Sequence, residues 1–415
     1  MDISPQIVAD RLIDTLTGPV GLAFSLTLLG ALTIGSLKQR KAKLREVESN
    51  PPVGPNVPRE EKIPVVQHDP DQVDRAAVMN RVSHLAVSQD WATLAEEIAD
   101  WERRLEAAPG GERYHDIGIE TCLTGLRSLL DKAPRQTLAD LEIAEKEVAR
   151  FMERHRADPS DHILAVLAAR AHIMMAETCN ADFWPPAAQK QAWRQMAHHY
   201  LQAETVLSGF DPVEYMSPLL ASSFYDLALG MPDGGSRIEP AFEDWIDLDP
   251  SDPAIYAHHI PILMRQNEGK ADLILAEAER ARDRTEGTLG HGGYALCVLP
   301  AIAEDADFRA QVDISSLAGG LMDLARSSAT QAEVNWATAV LANEAEFAKD
   351  GDKRVLLSAF DSLIQRDLSV IYPRIWDREV DSIRDLLRET FGRNGTPRLS
   401  SATLYAPPET KAAVA

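Results

Sequence analysis

Thr15–Leu37 reads TLTGPVGLAFSLTLLGALTIGSL and carries no charged side chain. A helix needs roughly 20 apolar residues in a row to cross the hydrocarbon layer of a bilayer, and this segment reaches that length. Lys38, Arg40, Lys41, Lys43 and Arg45 follow at once, whereas the leader holds Asp2, Asp10 and Asp14 against Arg11 alone. A secretory leader has a basic start, a shorter apolar part and a small-residue cleavage site. A helix lying on the bilayer surface shows a charged face. A buried helix of a soluble domain seldom lacks charge for so long. Residues 15–37 are therefore read as a single transmembrane helix. Basic residues close to a span stay in the cytoplasm, so the five-residue collar places the short segment 1–14 outside and a large C-terminal domain inside. The expected location is a bacterial inner membrane, crossed once.

Ala23, Thr27, Ala31 and Gly35 recur every four residues along this segment. Small side chains at that spacing let two spans approach closely, so the stripe is the candidate surface for homo-oligomer formation in the bilayer. Behind the collar, Pro51, Pro52, Pro55, Pro58 and Pro64 bar a helix, and residues 38–69 read as a basic collar and an extended proline-rich spacer.

The formal net charge of the 415 residues is −22, yet residues 1–50 hold six basic and five acidic side chains, so the excess acid lies in the body. An acidic body repels phosphate backbones, which argues against nucleic acid as a partner. Cys122, Cys179 and Cys297 are far apart and odd in number, without a CxxC pair, as suits small apolar residues of a reducing compartment.

From residue 70 to 392 the pattern is helical. Asp90 precedes Trp91, Leu94, Ile98, Trp101 and Leu105, one apolar stripe at helical spacing behind a capping residue. Helices are expected over 114–130, 137–156, 184–207, 212–229, 238–246, 253–264 and 270–284, then over 294–302, 315–325, 332–347 and 354–363. Residues 162–175 are apolar nearly all round, the pattern of a covered central helix. Trp376, Val380, Ile383 and Leu387 mark a last helix ending at Gly392. Gly230 to Gly235 is the clearest break, a candidate subdivision at 230–236, and residues 286–293 read as a glycine-bearing loop. The tail 393–415, with Pro397, Pro407 and Pro408, reads as disordered. No stretch alternates as a strand does, so the fold class is all-α.

Asp158-Pro159-Ser160-Asp161 and Asp249-Pro250-Ser251-Asp252 match, with Asp211-Pro212-Val213-Glu214 between them, at intervals of 53 and 38 residues. Each precedes a helix: aspartate caps it and proline suits its opening turn. In these residues, above all Trp245 to Asp252, the chain resembles tetratricopeptide-like helical-repeat proteins over Leu138 to Arg280. The resemblance implies an α-solenoid of helix pairs that presents a groove to a protein segment.

Chemical motifs are sparse. His198-His199 and His258-His259 are adjacent pairs whose members point about 100° apart, unlike the spacing of a helical zinc site. His172 falls within an apolar helix and reads as a core residue. Gly287, Gly290, Gly292 and Gly293 lack the strand and lysine of a phosphate loop. Asp247, Asp249 and Asp252 lack the glycine and glutamate of a calcium loop and read as caps. Glu304, Asp305 and Asp307 form a solvated helix end. Most tryptophans lie on apolar stripes, as interhelical packing requires, while Trp184-Pro185-Pro186 reads as an exposed turn. No catalytic, metal or cofactor constellation emerges, and carboxylate pairs carry no signal in so acidic a chain. The expectation is a non-enzymatic scaffold or adaptor, anchored by its N-terminal helix, that binds protein partners at the cytoplasmic face. The alternative is an assembly subunit of a membrane complex, and after that an all-helical enzyme with a dispersed site.

Overall fold

The computed structural model describes residues 62–231, 234–266, 271–328 and 330–394. The candidate span 15–37, its stripe Ala23, Thr27, Ala31 and Gly35, the collar Lys38 to Arg45 and residues 395–415 lie outside the described residues. Among the described residues no helix is long and apolar enough to cross a membrane.

The described chain is helical, with no strand. Its first half holds α1 (Pro70–Val87), α2 (Trp91–Arg103), α3 (Tyr114–Lys132), α4 (Glu142–Ala157), α5 (His162–Thr178), α6 (Pro186–Leu207), the single turn α7 (Pro212–Tyr215) and α8 (Pro218–Gly230). The second holds α9 (Ile238–Leu248), α10 (Pro253–Gln266), α11 (Ala271–Leu289), α12 (Gly292–Glu304), α13 (Ile314–Ser327) and α14 (Gln331–Phe347). It closes with α15 (Asp350–Arg366), the turn α16 (Pro373–Trp376) and α17 (Val380–Asn394).

Local chemistry starts these helices where the sequence places them. The Asp90 carboxylate accepts from Thr93 N–H, Asp161 from Ile163 and Leu164, and Asp211 from Val213 and Glu214. Each bond satisfies a donor that the first turn leaves without a partner. In the two matching Asp-Pro-Ser-Asp motifs the second aspartate is the cap: Asp161 for α5, and Asp252, which accepts from Ala254 N–H at 2.9 Å, for α10. Both first aspartates accept from the serine two residues on, Asp158 from Ser160 and Asp249 from Ser251, and Asp249 also reaches across the molecule to Arg113.

Two apolar cores result. The first surrounds α5, which is buried on nearly every face against α3, α4, α6 and α8, and includes Leu94, Ile98, Leu123 and Phe151. The second gathers Tyr256, Tyr294, Leu341, Phe360 and Trp376. They meet at α8, whose Leu219, Leu220 and Leu227 face the first while Ala221, Tyr225 and Ala228 face the second. Each such fully buried large side chain contributes about 1.5–3 kcal/mol.

The start of the described chain is tied to its end. Val66 N–H donates to the Ile371 carbonyl and Ile371 N–H to the Pro64 carbonyl, both at 2.9 Å. The Arg384 guanidinium donates to the Ile63 carbonyl, and Ile63 joins the second core. The expected spacer of residues 38–69 thus ends in a segment laid on the C-terminal helices rather than in free chain. Thr330, the cap of α14, donates from its hydroxyl to the Pro109 carbonyl at 2.8 Å and joins the α2–α3 connection to the second half.

Several boundaries differ from the sequence reading, each for a local reason. The expected helix 212–229 is two, because Met216 adopts a left-handed backbone (φ 48°) and Pro218 starts afresh behind the Ser217 cap. The expected loop 286–293 shrinks to Gly290 and His291: α11 runs to Leu289, with Gly287 inside it, the chain turns at Gly290 (φ 57°), and α12 starts at Gly292. Pro261 and Pro300 sit inside helices without ending them. Trp376 belongs to α16, separated from α17 by the left-handed Asp377 (φ 48°).

Candidate functional site: a polar crevice between four helices

α3 carries Asp116, Glu120 and Arg127 at spacings of four and seven, and the preceding residue Arg113 continues the line. Residues so spaced share one face of a helix. α5 answers with Arg170 and Glu177, two turns apart and its only Asp, Glu, Lys or Arg side chains. α8 adds Ser222, Ser223 and Asp226, and α10 adds His258. Bonds between helices assemble these residues into one crevice. Arg170 donates to Ser222 at 2.6 Å and Ser223 at 3.1 Å and lies 3.9 Å from Asp116. His258 Nε2 of α10 lies 2.9 Å from Asp226 Oδ1 of α8, and within α3 Arg127 donates to Glu120 at 2.8 Å. At 1.5 Å of rise per residue, the eleven residues from Asp116 to Arg127 set a length of roughly 16 Å.

One end is sealed. Arg113 grips Asp249 with two bonds, at 2.6 and 2.8 Å, and both residues are buried. Burial alone would lower the Arg113 pKa, but Asp252 and Asp249 outweigh it and raise it. Burial holds Asp252 well above the usual carboxylate range. Beside them the buried Glu102, near the C-terminus of α2, receives the Ser217 hydroxyl at 2.7 Å, the Leu219 N–H at 2.9 Å and His162 Nε2 at 3.0 Å. Burial would raise its pKa; the bonds from His162 and Ser217, and the nearby His115, outweigh that and lower it. Glu102 therefore staples the N-termini of α5 and α8 to α2, a structural task.

Glu177, two turns along α5 from Arg170, stands at the other end. Glu177 keeps some accessible surface but is walled by protein, and its carboxyl has no hydrogen bond or ion pair among the described residues. Burial first, then the negative charges of Asp226 and Glu120, push its pKa up to about 7, against the opposing pull of His258 and Arg127. Tyr200 reaches in from α6. It is 2 % exposed, and its hydroxyl lacks a hydrogen-bond partner. Burial raises that phenol well above its ordinary pKa, with Glu177 and Asp226 adding to the shift. Its ring lies against Gly230, one turn beyond Asp226, so closely that any Cβ there would overlap it. Glycine is thus required at 230 by approach, not by backbone angle.

The other residues singled out by sequence take quieter places. His198 is exposed and His199 buried, as their angular separation dictates. His172 is a core residue that shares a 2.9 Å bond between Nδ1 atoms with His199, whose Nε2 meets Glu145 at 3.2 Å; its own Nε2 has no partner. His259 stacks on Phe242 with centroids 3.6 Å apart and meets the Tyr225 hydroxyl at 2.9 Å. Burial pushes the Cys122 and Cys179 thiols up to about 12, far from nucleophilic. Asp305 caps a 3-10 turn by accepting from Asp307 N–H, and Glu304 pairs with Arg265. Trp184 is buried, its indole donating to the Thr178 carbonyl, whereas Trp193 is half exposed, the reverse of both expectations. No group of three or more His, Cys, Asp or Glu among the described residues could hold a metal ion.

Sequence reasoning passed over Glu177, Asp226 and Tyr200. One signal was available: two ionisable side chains seven apart on an otherwise apolar helix must share a face, and a buried face that holds both has to supply partners. Comparison with protein-family models, with curated proteins and with solved structures finds no match.

Chemically, the crevice offers alternating donors and acceptors along its length. Toward the Glu177 end the negative charges of Asp226 and Glu120 add to burial in raising the Glu177 carboxyl.

Proposed function

We propose that the chain is a membrane-anchored helical scaffold whose polar crevice receives a segment of a partner protein at the cytoplasmic face. The supporting observation is the row itself: α3, α5, α8 and α10 each contribute polar side chains to one continuous, half-exposed line. Solenoid proteins read extended segments on such surfaces, because neighbouring repeats offer one contact after another. The anchor would be residues 15–37, with the collar Lys38 to Arg45 setting orientation. The resemblance to tetratricopeptide-like repeats in Trp245–Asp252 supports the same reading by analogy of fold. Crosslinking in intact cells tests it: a photoreactive residue at Glu120 or Arg127 should join the chain to a partner protein, and one at the exposed Asp385 should not. Adducts from Asp385 alone would refute the reading. Carbonate extraction tests the anchor, since release of the protein from washed membranes would contradict an integral span.

A second reading rests on one specific observation. A carboxyl with a pKa of about 7 beside a second carboxylate, in a walled crevice, has the properties of a general acid or base. Screening the full chain against hydrolysable esters, glycosides and amides, with Glu177→Gln as control, tests it. Turnover that vanishes in the variant and follows an ionisation near pH 7 would favour an enzyme.

A further inference from the structure

We propose that the outward face of α6 docks on the anionic headgroups of a phospholipid bilayer, so that the body rests on the membrane along this helix. The proposal rests on the membrane-anchored scaffold reading and names the side of the body that faces the lipid.

Trp193, Arg194, Ala197 and Leu201 follow Lys190 on α6 at offsets of three, four, seven and eleven residues. At about 100° per residue the five fall within an arc of roughly 100°, one face of the helix. In a globular body that spacing ordinarily marks the buried stripe. Here it is turned to solvent: Trp193 is 47 % exposed and Leu201 53 %, with Lys190 and Arg194 exposed beside them. The inward side of α6 is a different one and holds Ala192, His199, Ala203 and Val206. The turn before the helix adds Phe183, 39 % exposed, with the Arg135 guanidinium 5.4 Å from its ring centroid.

Charge sets this face apart. The body carries a large excess of acid, and that acid engages many of its arginines: Arg150 pairs with Glu147, Arg265 with Glu304 and Arg309 with Glu344. Lys190 and Arg194 have no ion pair among the described residues. The sole acid of α6, Glu204, lies beyond Leu201 and receives a bond from Arg237 at 2.9 Å. Asp182, exposed in the turn before the helix, opposes the basic set with a single charge. An acidic body thus presents one helix face that is basic and aromatic.

A bilayer surface suits this combination. Tryptophan favours the boundary where its ring is apolar and its N–H is wet. Lysine and arginine lay their apolar stems along that boundary and place their charge among the phosphates. Each such cation strengthens binding to an anionic leaflet about fivefold. A helix face is convex, and a fluid bilayer adapts to it where a protein partner would need a matching groove. The same leaflet repels the remaining acid of the body, which leaves this face as the one that approaches. Two cations hold a free protein weakly, but a tethered one returns at high effective concentration. A proline-rich spacer of the length of residues 38–61 reaches some tens of ångströms at roughly 3 Å per residue, enough for the body to lie down on α6.

The test places a photoreactive residue at Trp193 of the full chain, in nanodiscs of mixed phosphatidylcholine and phosphatidylglycerol, and identifies adducts by mass. The expected result is a phospholipid adduct, several-fold stronger than in discs of phosphatidylcholine alone. The exposed Asp385, substituted in the same way, should give none. Lys190→Gln and Arg194→Gln should each reduce the adduct about fivefold. High salt should reduce it too, by screening. Circular dichroism confirms that each variant keeps its helices, and if one basic variant unfolds, the other and the salt series still decide. An adduct with another protein, with a second copy or with another segment of this chain overturns the surface. So does a lipid adduct of equal strength without phosphatidylglycerol, or from Asp385. A chain that carbonate leaves in the membrane but that yields no lipid adduct refutes the surface while the anchor stands. A chain that carbonate strips from membranes, yet that gives the adduct on phosphatidylglycerol vesicles, upholds the surface and refutes the anchor.

Discussion

Arg113 and Asp249, separated by 136 residues of chain, form a buried two-bond ion pair at 2.6 and 2.8 Å that joins the first half of the body to the second. Removing one member of such a pair leaves a charge in a medium that solvates it poorly. Arg113→Met or Asp249→Leu should each cost about 3–5 kcal/mol in denaturant unfolding. The double replacement should recover most of that loss, because no orphan charge remains. Additive losses in the double variant would show that the two do not act as a pair.

Gly230→Ala should destabilise the body by about 1–3 kcal/mol, since the new methyl overlaps the Tyr200 ring in a closed site. Tyr200→Leu alone should also destabilise, by loss of buried surface. Combined with Gly230→Ala it should cost less than the sum, a coupling that thermal unfolding resolves.

The His172 ring is held down to about 4 by burial first and by the neighbouring His199 and His198. A histidine with a depressed folded pKa contributes stability that is full above its unfolded value, near 6.5, and drains away as pH falls toward the folded value. His259, depressed to about 3 by burial, acts in the same direction. Between pH 6.5 and 4 the body should therefore lose stability, by up to roughly 3 kcal/mol from His172. His172→Leu, measured against wild type over that range, should flatten the acid limb.

Glu177 acts with the opposite sign. Its carboxyl is raised to about 7 by burial, so the folded state holds a proton that the unfolded chain has released. Stability from this group is full below its unfolded value, near 4.5, and declines as pH rises to 7. Glu177→Gln should match wild type at pH 4 and exceed it by about 1–3 kcal/mol at pH 8, the upper figure shrinking with the solvent that reaches the crevice. A variant no more stable than wild type at pH 8 would show that the carboxyl is not confined.

The all-α class and most helix starts were legible because they depend on neighbours in sequence. Asp90, Asp161 and Asp211 cap within three residues, and the all-round apolar character of α5 announced its burial. Boundaries failed where one backbone angle decided them, at Met216, Gly290 and Asp377. Trp184 was misjudged because its burial depends on a carbonyl six residues back that only the folded turn presents. The crevice was illegible for a different reason. Glu177, Asp226 and His258 lie on three helices, and in a chain with 64 acidic residues no single carboxylate draws notice until distant helices bring two together.

The central claim is that the crevice between α3, α5, α8 and α10 is the surface a partner occupies. Site-specific photocrosslinking from the half-buried Asp226 tests it most directly. The account predicts a defined protein adduct from Asp226 in intact cells. An adduct that forms equally from Asp226 and from the outward-facing Asp385, or from Asp385 alone, would contradict it.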